Sequence, residues 1–241
     1  MNNKYSMTTD GNILYAKRNI VDSIYTEARL EGIGVTYPDT NEIFNGRTVA
    51  GLSIDDTNKI NNLKHAWEFI LTTLDYTIDL RYIRQINSEI GKGLVFNAGS
   101  LRDSDVKIGG TSWKPELPDE NKISSYIKNT INNFELSATE RAISAMLYVM
   151  RTQMFYDGNK RTAQLLANKI MIEGGAGIIS IPVDKQKNFV ELLINYYETN
   201  NAEDISDFIY HNCIDGINMT NNRNIEPDDN IIFPQDTSKK Y

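Results

Sequence analysis

The chain has 241 residues, 40% of them hydrophobic and 24% charged, with a formal net charge of −7. That balance excludes wholesale disorder and fits one soluble globular core with extensions at its ends, and the acidic charge argues against DNA or RNA as a partner. A single cysteine, Cys213, cannot close an internal disulfide, and with only two histidines there is no Cys/His zinc cluster.

The opening residues, Met-Asn-Asn-Lys-Tyr-Ser, carry no apolar leader, and the stretch from Ala142 to Met150 falls far short of the roughly 18 residues of a membrane span. A cytoplasmic protein without membrane contact is expected. Val21, Ile24, Tyr25 and Ala28 share one helical face, which predicts a helix from Leu14 to Leu30 that ends at Glu31-Gly32. After Pro38-Asp39, Thr40 opens a short helix towards Phe44. Ser53 is the expected N-cap of a long helix through Leu63, Trp67 and Ile70, and Asp79 to Ile90 repeats the apolar spacing.

Glycines and prolines between Gly91 and Pro118 interrupt any helix. Val106-Lys107-Ile108 and Thr111-Ser112-Trp113 flank Gly109-Gly110, the pattern of a two-residue β-hairpin, which predicts a small flap. Helices resume from Asn121 to Phe134 and again after Ser137, where Glu140 three residues on suggests a capping box. Further helices are expected over Thr162 to Ile172, Lys185 to Glu198 and Ile205 to Cys213, with a short extended piece from Ile178 to Pro182. The Asn-, Asp- and Pro-rich end reads as a loosely held tail.

The informative stretch runs from Gln153 to Arg161, Gln-Met-Phe-Tyr-Asp-Gly-Asn-Lys-Arg. It reads as a helix, a tight polar turn and a second helix whose first amides lack partners and attract an anion. Lys160 and Arg161 add cations suited to phosphate, and Asp157 is a hard oxygen ligand able to hold Mg²⁺. By chemistry alone the stretch equally fits a solvated helix–helix turn, because Asp, Gly and Asn are ordinary turn residues. His65 beside Trp67 reads as structural, and the His211/Cys213 pair lacks a third group for nucleophilic chemistry.

Phe155, Asp157, Gly158, Asn159, Lys160 and Arg161 match the signature loop of the Fic (Fido) family, His-x-Phe-x-Asp/Glu-Gly-Asn-Gly/Lys-Arg, which this sequence resembles from about Leu14 to Ile217. Leu30-Glu31-Gly32-Ile33 is similar to the end of the family's inhibitory helix, and Val106 to Pro118 to its target flap. The resemblance implies an all-α, Fic-type helical bundle with a small β-hairpin flap. It divides the chain into an N-terminal helical region over 1–90 with the inhibitory-type helix, a core over 91–217 with flap and catalytic loop, and a polar tail over 218–241.

It also implies transfer of AMP from ATP to a protein hydroxyl. Asp157 would hold Mg²⁺, Gly158, Asn159 and Lys160 would form the anion hole, and Arg161 would bind the outer phosphates. Ile108, Gly109 and Gly110 would pair with a protein target in extended form. Three positions depart from the pattern. The family histidine falls at Gln153, and an amide cannot serve as general base, a loss of ~10² to 10⁴ in rate. The family's second arginine falls at Gln164, which leaves Glu31 with Gln164 or Arg161 as partners, and the usual Ser/Thr four residues before Glu31 is Glu27. The expectation is therefore a nucleotide-binding Fic-type protein with reduced or altered adenylyl transfer. The alternatives are a nucleotide-binding pseudoenzyme or regulatory partner, and third a Doc-like phosphotransferase, whose loops usually carry Ala at the position of Gly158.

Overall fold

A computed structural model of the protein describes residues 1–218. Ten α-helices among these residues follow one another as α1 (Thr9–Arg18), α2 (Ile20–Leu30), α3 (Tyr37–Phe44), α4 (Ile54–Thr72), α5 (Leu80–Gly91), α6 (Glu120–Tyr126), α7 (Ala138–Thr152), α8 (Asn159–Glu173), α9 (Gln186–Thr199) and α10 (Glu203–Asn212). Two short strands, β1 (Ile178–Ile179) and β2 (Ile214–Asp215), pair antiparallel, Ile178 opposite Asp215 and Ile179 opposite Ile214. The mostly helical class expected from the sequence is met. The polar stretch from residue 219 onward lies outside the described residues. None of the described helices is long and apolar enough to cross a membrane.

The bundle is built around α8. Leu165, Leu166, Ala167, Ile170, Met171 and Ile172 are all buried, and so are its polar members Gln164, Asn168 and Lys169. A helix buried nearly all round is enclosed on every side; α7 lies along it, and α1, α4 and α5 pack against the rest. Lys169 is tolerated inside because its Nζ donates to Leu74 O and Glu173 Oε2, both at 2.8 Å.

The caps fall where side-chain chemistry places them. Ser53 Oγ accepts from Asp56 N and Asp79 Oδ1 from Tyr82 N, starting α4 and α5. Ser137 Oγ accepts from Glu140 N at 3.0 Å, but the Glu140 carboxylate binds the Met1 ammonium at 2.8 Å instead of closing the capping box.

Several elements differ from expectation, each for a local reason. The helix predicted over Leu14 to Leu30 is two helices, because Asn19 turns its side chain back to Tyr15 O at 2.8 Å and its backbone caps α1. The short third helix starts at Tyr37, ahead of Thr40, since Thr36 and Asp39 form a reciprocal capping box and Pro38 sits in the first turn, where a missing N–H costs nothing. Past α6 the chain widens into a π-helical turn, Ile127–Ile131. Its larger circumference keeps Ile123, Ile127 and Ile131, spaced by four, on one buried face.

The flap is the main correction. Residues 106–118 form a turn at Gly109-Gly110 but no strand ladder. Thr111 Oγ1 accepts from Trp113 N at 3.0 Å, a local bond that competes with cross-strand pairing. The segment is held by side chains against α9. A Cβ on Gly110 would lie 2.8 Å from Ile194 Cδ1, Thr111 Oγ1 donates to Glu198 Oε1 at 2.7 Å, and the Trp113 ring stacks on Tyr197 at 5.4 Å.

The small sheet is finished by side chains. Asn168 on α8 binds both Ile179 O and Ile179 N, at 2.9 and 2.8 Å. Asn12 on α1 treats Gly177 the same way, at 3.0 and 2.7 Å. Residues 177 and 179 point away from β2, so the two amides occupy the positions of a neighbouring strand.

Candidate functional site

The turn between α7 and α8 carries the signature residues. Gln153 closes α7 in the left-handed region, φ 47°, and Gly158 precedes α8 at φ 78° without any side-chain cap. The first amides of α8 are therefore left for another acceptor. A Cβ on Gly158 would meet Ile90 Cγ2 at 3.0 Å and Asn87 Nδ2 at 3.1 Å, so both conformation and space demand glycine. Phe155, 1% exposed, anchors the turn in the core; such burial contributes roughly 1.5 to 3 kcal/mol.

Three polar side chains fix the loop. Asn159 folds back so that Oδ1 accepts from Phe155 N at 3.0 Å, while Nδ2 donates to Phe155 O at 2.7 Å and to Gln153 Oε1 at 3.2 Å. Asn87 on α5 donates to Asp157 O at 2.9 Å and to Thr162 Oγ1 at 3.1 Å, and accepts from Gly99 N at 2.9 Å. Arg102, 2% exposed, donates from Nε to Gln153 O at 2.6 Å and from Nη1 to Ser104 O at 3.0 Å. Its Nη2 serves Pro115 O and Glu116 O. Sequence reading missed Asn87 and Arg102. Their partners are mostly backbone groups, which every residue carries, so no local pattern marks them.

The turn opens on a cleft of about 300 Å³ whose wall includes Glu31, Ile108, Gly109, Gln153, Lys160 and Tyr197. The structure thus brings together Gln153, Asp157, Gly158, Asn159 and Lys160, two of the three flap residues and Glu31. Arg161 lies just beneath, 3% exposed, and Gly110 is turned against Ile194 on α9.

Glu31 caps the C-terminus of α2, and its carboxylate bridges the cations. Lys160 Nζ lies 3.3 Å from Oε1, and Arg161 Nε 3.4 Å from Oε2. Neither Glu31 Oε1 nor Arg161 Nε makes a well-directed hydrogen bond, so the contact is held by charge rather than by geometry. Lys160 Nζ also reaches Leu30 O at 3.3 Å, which ties the end of α2 to the start of α8. The expected alternative partner, Gln164, turns instead to Lys160 O at 3.4 Å. Asp157 Oδ2 accepts from Arg161 Nη2 at 3.1 Å with its side chain about half exposed.

Gln153 is held as an amide. Nε2 donates to Met150 O at 2.5 Å and lies 3.5 Å from Tyr197 Oη. Burial raises the Tyr197 phenol above its usual range, so it stays a neutral hydroxyl that accepts from the amide. Tyr156 also lines the cleft and is bonded to Asp103 and to Ser104 Oγ. The secondary candidates are dismissed by their surroundings: His65 is exposed, and the His211 ring meets Asp207 and Tyr210 of its own helix. Burial pushes the Cys213 thiol up to about 12.

With this geometry in place, comparison with known proteins is informative. A family model described as the Fic/DOC family matches residues 77–171, the stretch that holds Asn87, Arg102, the flap and the turn. The "Protein adenylyltransferase Fic" of Aedes aegypti is 28% identical over 202 residues, covering 80% of this chain and 39% of that protein. "Protein adenylyltransferase fic-1" of Caenorhabditis briggsae is 26% identical over 175 residues, covering 69% and 34%. The chain thus spans about two fifths or less of these curated relatives.

Among solved structures, Fic-1 from C. elegans superposes with a TM-score of 0.68 at 21% identity, covering 81% of this chain and 60% of that one. A Fic domain containing signaling protein from Bacteroides thetaiotaomicron does so at 0.70 and 19%, covering 84% of each. The fold is the Fic fold, and the family match supports a Fic/DOC domain in this chain.

Proposed function

We propose that this chain binds Mg-ATP at the turn from Asp157 to Arg161 and transfers AMP to the hydroxyl of a protein segment lying extended along residues 106–118. The observation that carries the reading is the uncapped first turn of α8, opening with Lys160 on a cleft and backed by Arg161. The relatives named as adenylyltransferases support the reaction class.

The amides that follow Gly158 would hold the phosphate that is attacked, and Lys160 and Arg161 the phosphates that leave. The acceptor oxygen forms a bond to the α-phosphorus as the bond to the pyrophosphate oxygen breaks, and the hydroxyl proton must go to water because Gln153 cannot accept it. Asp157 fits a magnesium ion. It offers one half-exposed carboxylate beside the phosphate site, and Mg²⁺ is commonly held by one or two carboxylates plus substrate phosphates. Bound there, the ion would neutralise charge on the phosphates.

A second reading is favoured by Gln153 itself, whose Nε2 and Oε1 are both engaged within the loop: a nucleotide-binding protein without turnover. ATP labelled separately at the α and γ phosphates separates the cases. AMP transfer leaves the α label on protein, phosphoryl transfer the γ label, and binding alone neither. Gly158 at φ 78° weighs against the Doc-like loop, which usually has Ala there. Glu31, if it regulates, does so by occupying Lys160 and Arg161.

A further inference from the structure

Glu27 lies one turn before Glu31 on α2 and is enclosed, with 2% of its surface exposed. Its Oε1 accepts a hydrogen bond from Trp67 Nε1 at 3.1 Å, and its Oε2 has no partner. A carboxylate with one donor and no solvent is far less stable than the neutral acid. Burial accordingly pushes the carboxyl up to about 8, although the Trp67 bond and the Arg161 charge pull it down, and Glu31 adds to the rise.

The charged groups facing it are Arg161 from α8 and Glu31 from its own helix; α4 presents the neutral Trp67. Near neutral pH the proton stays on Glu27, and Arg161 has Glu31 and Asp157 as its acidic neighbours. Arg161 is buried beneath the turn, so a further negative charge behind it would hold the guanidinium inward and repel an incoming phosphate.

We propose that Glu27 is a positioning residue for the nucleotide site: its proton keeps Arg161 available to phosphate, and loss of that proton turns nucleotide away. The inference rests on the nucleotide reading given above. Glu27 forms no part of the cleft wall and acts only through Arg161.

The test compares wild type with Glu27→Gln, which keeps an acceptor for Trp67 and is neutral at every pH. Mg-ATP affinity should fall in the wild type by roughly five-fold or more between about pH 7 and about pH 9, and stay flat in Glu27→Gln. Melting of the nucleotide-free proteins gives an independent readout. The folded state holds the Glu27 proton above the unfolded value near 4.5. Wild type should therefore match Glu27→Gln at acid pH, lose ground as pH rises towards about 8, and show a constant gap beyond.

A wild-type affinity that does not change with pH, or an equal change in Glu27→Gln, overturns the inference while leaving nucleotide binding intact. No ATP binding by either protein at any pH, with the melting gap present, overturns the nucleotide reading itself and the role of Glu27 with it.

Discussion

Arg102 donates from Nε to the carbonyl oxygen of Gln153 at 2.6 Å, and the same guanidinium reaches the carbonyls of Ser104, Pro115 and Glu116. One buried side chain thus ties Gln153, at the end of α7, to the segments on either side of the Gly109-Gly110 turn. It also explains how a glutamine persists at φ 47°, a conformation costing on the order of 1 to 3 kcal/mol unless its surroundings impose it. Arg102→Ala leaves several buried carbonyls without donors and should destabilise the fold by about 3 kcal/mol in urea unfolding. Hydrogen exchange should show faster opening at 102–118 and 153–158 than elsewhere; uniform acceleration would mean that Arg102 is only a core residue.

Gly158→Ala places a Cβ against Ile90 and Asn87 at a positive φ. The expected loss is about 1 to 3 kcal/mol of stability. Nucleotide affinity should drop as well, because Asn87 must move and releases Asp157 O and Thr162. Wild-type melting and binding in the variant would show that the turn tolerates a side chain.

Glu31→Gly removes the carboxylate that bridges Lys160 and Arg161. ATP affinity should rise, because phosphate no longer competes with a bound carboxylate for the two cations. The gain should be modest, since the existing contacts are long and poorly directed whereas a bidentate Arg–carboxylate pair is roughly twice as strong per bond as a neutral one. Adding Gln164→Arg to the native Glu31 should lower affinity below wild type. Unchanged affinity in Glu31→Gly would assign Glu31 to helix capping alone.

Gln153→His places a base at this position with a residue that tolerates the left-handed region, in exchange for the amide's bonds to Met150 O and Asn159 Nδ2. If the missing base limits transfer, the α-label on protein should increase by ~10² or more. The acid limb of the resulting rate profile should then follow imidazole protonation near pH 6.5. A variant that binds ATP as wild type does and still transfers nothing would place the block elsewhere.

The apolar spacing of Leu63, Trp67 and Ile70, the caps Ser53 and Ser137, and the signature turn are legible in the sequence because each depends on neighbours within one or two helical turns. What escaped depends on distant groups. Lys160 was read as a phosphate ligand only, since nothing local reveals a pairing with Glu31 across 129 positions. The flap was read as a hairpin from its glycines. What holds it, however, is α9, through Ile194, Tyr197 and Glu198. Glu27 was noticed as a departure from a pattern, but its burial follows from the crossing of α2 and α4, which no local periodicity encodes.

The asparagine amides of Asn12 and Asn168 have a consequence for how this protein meets other chains. They satisfy the free edge of β1 beneath α1 and α8, so that side of the sheet is covered and closed to strand recruitment and aggregation. At residues 106–118, by contrast, no strand ladder is formed. Replacing either asparagine by leucine would leave a backbone N–H and C=O of this edge without partners inside the core, so the cost would appear as lost stability and not as a new surface.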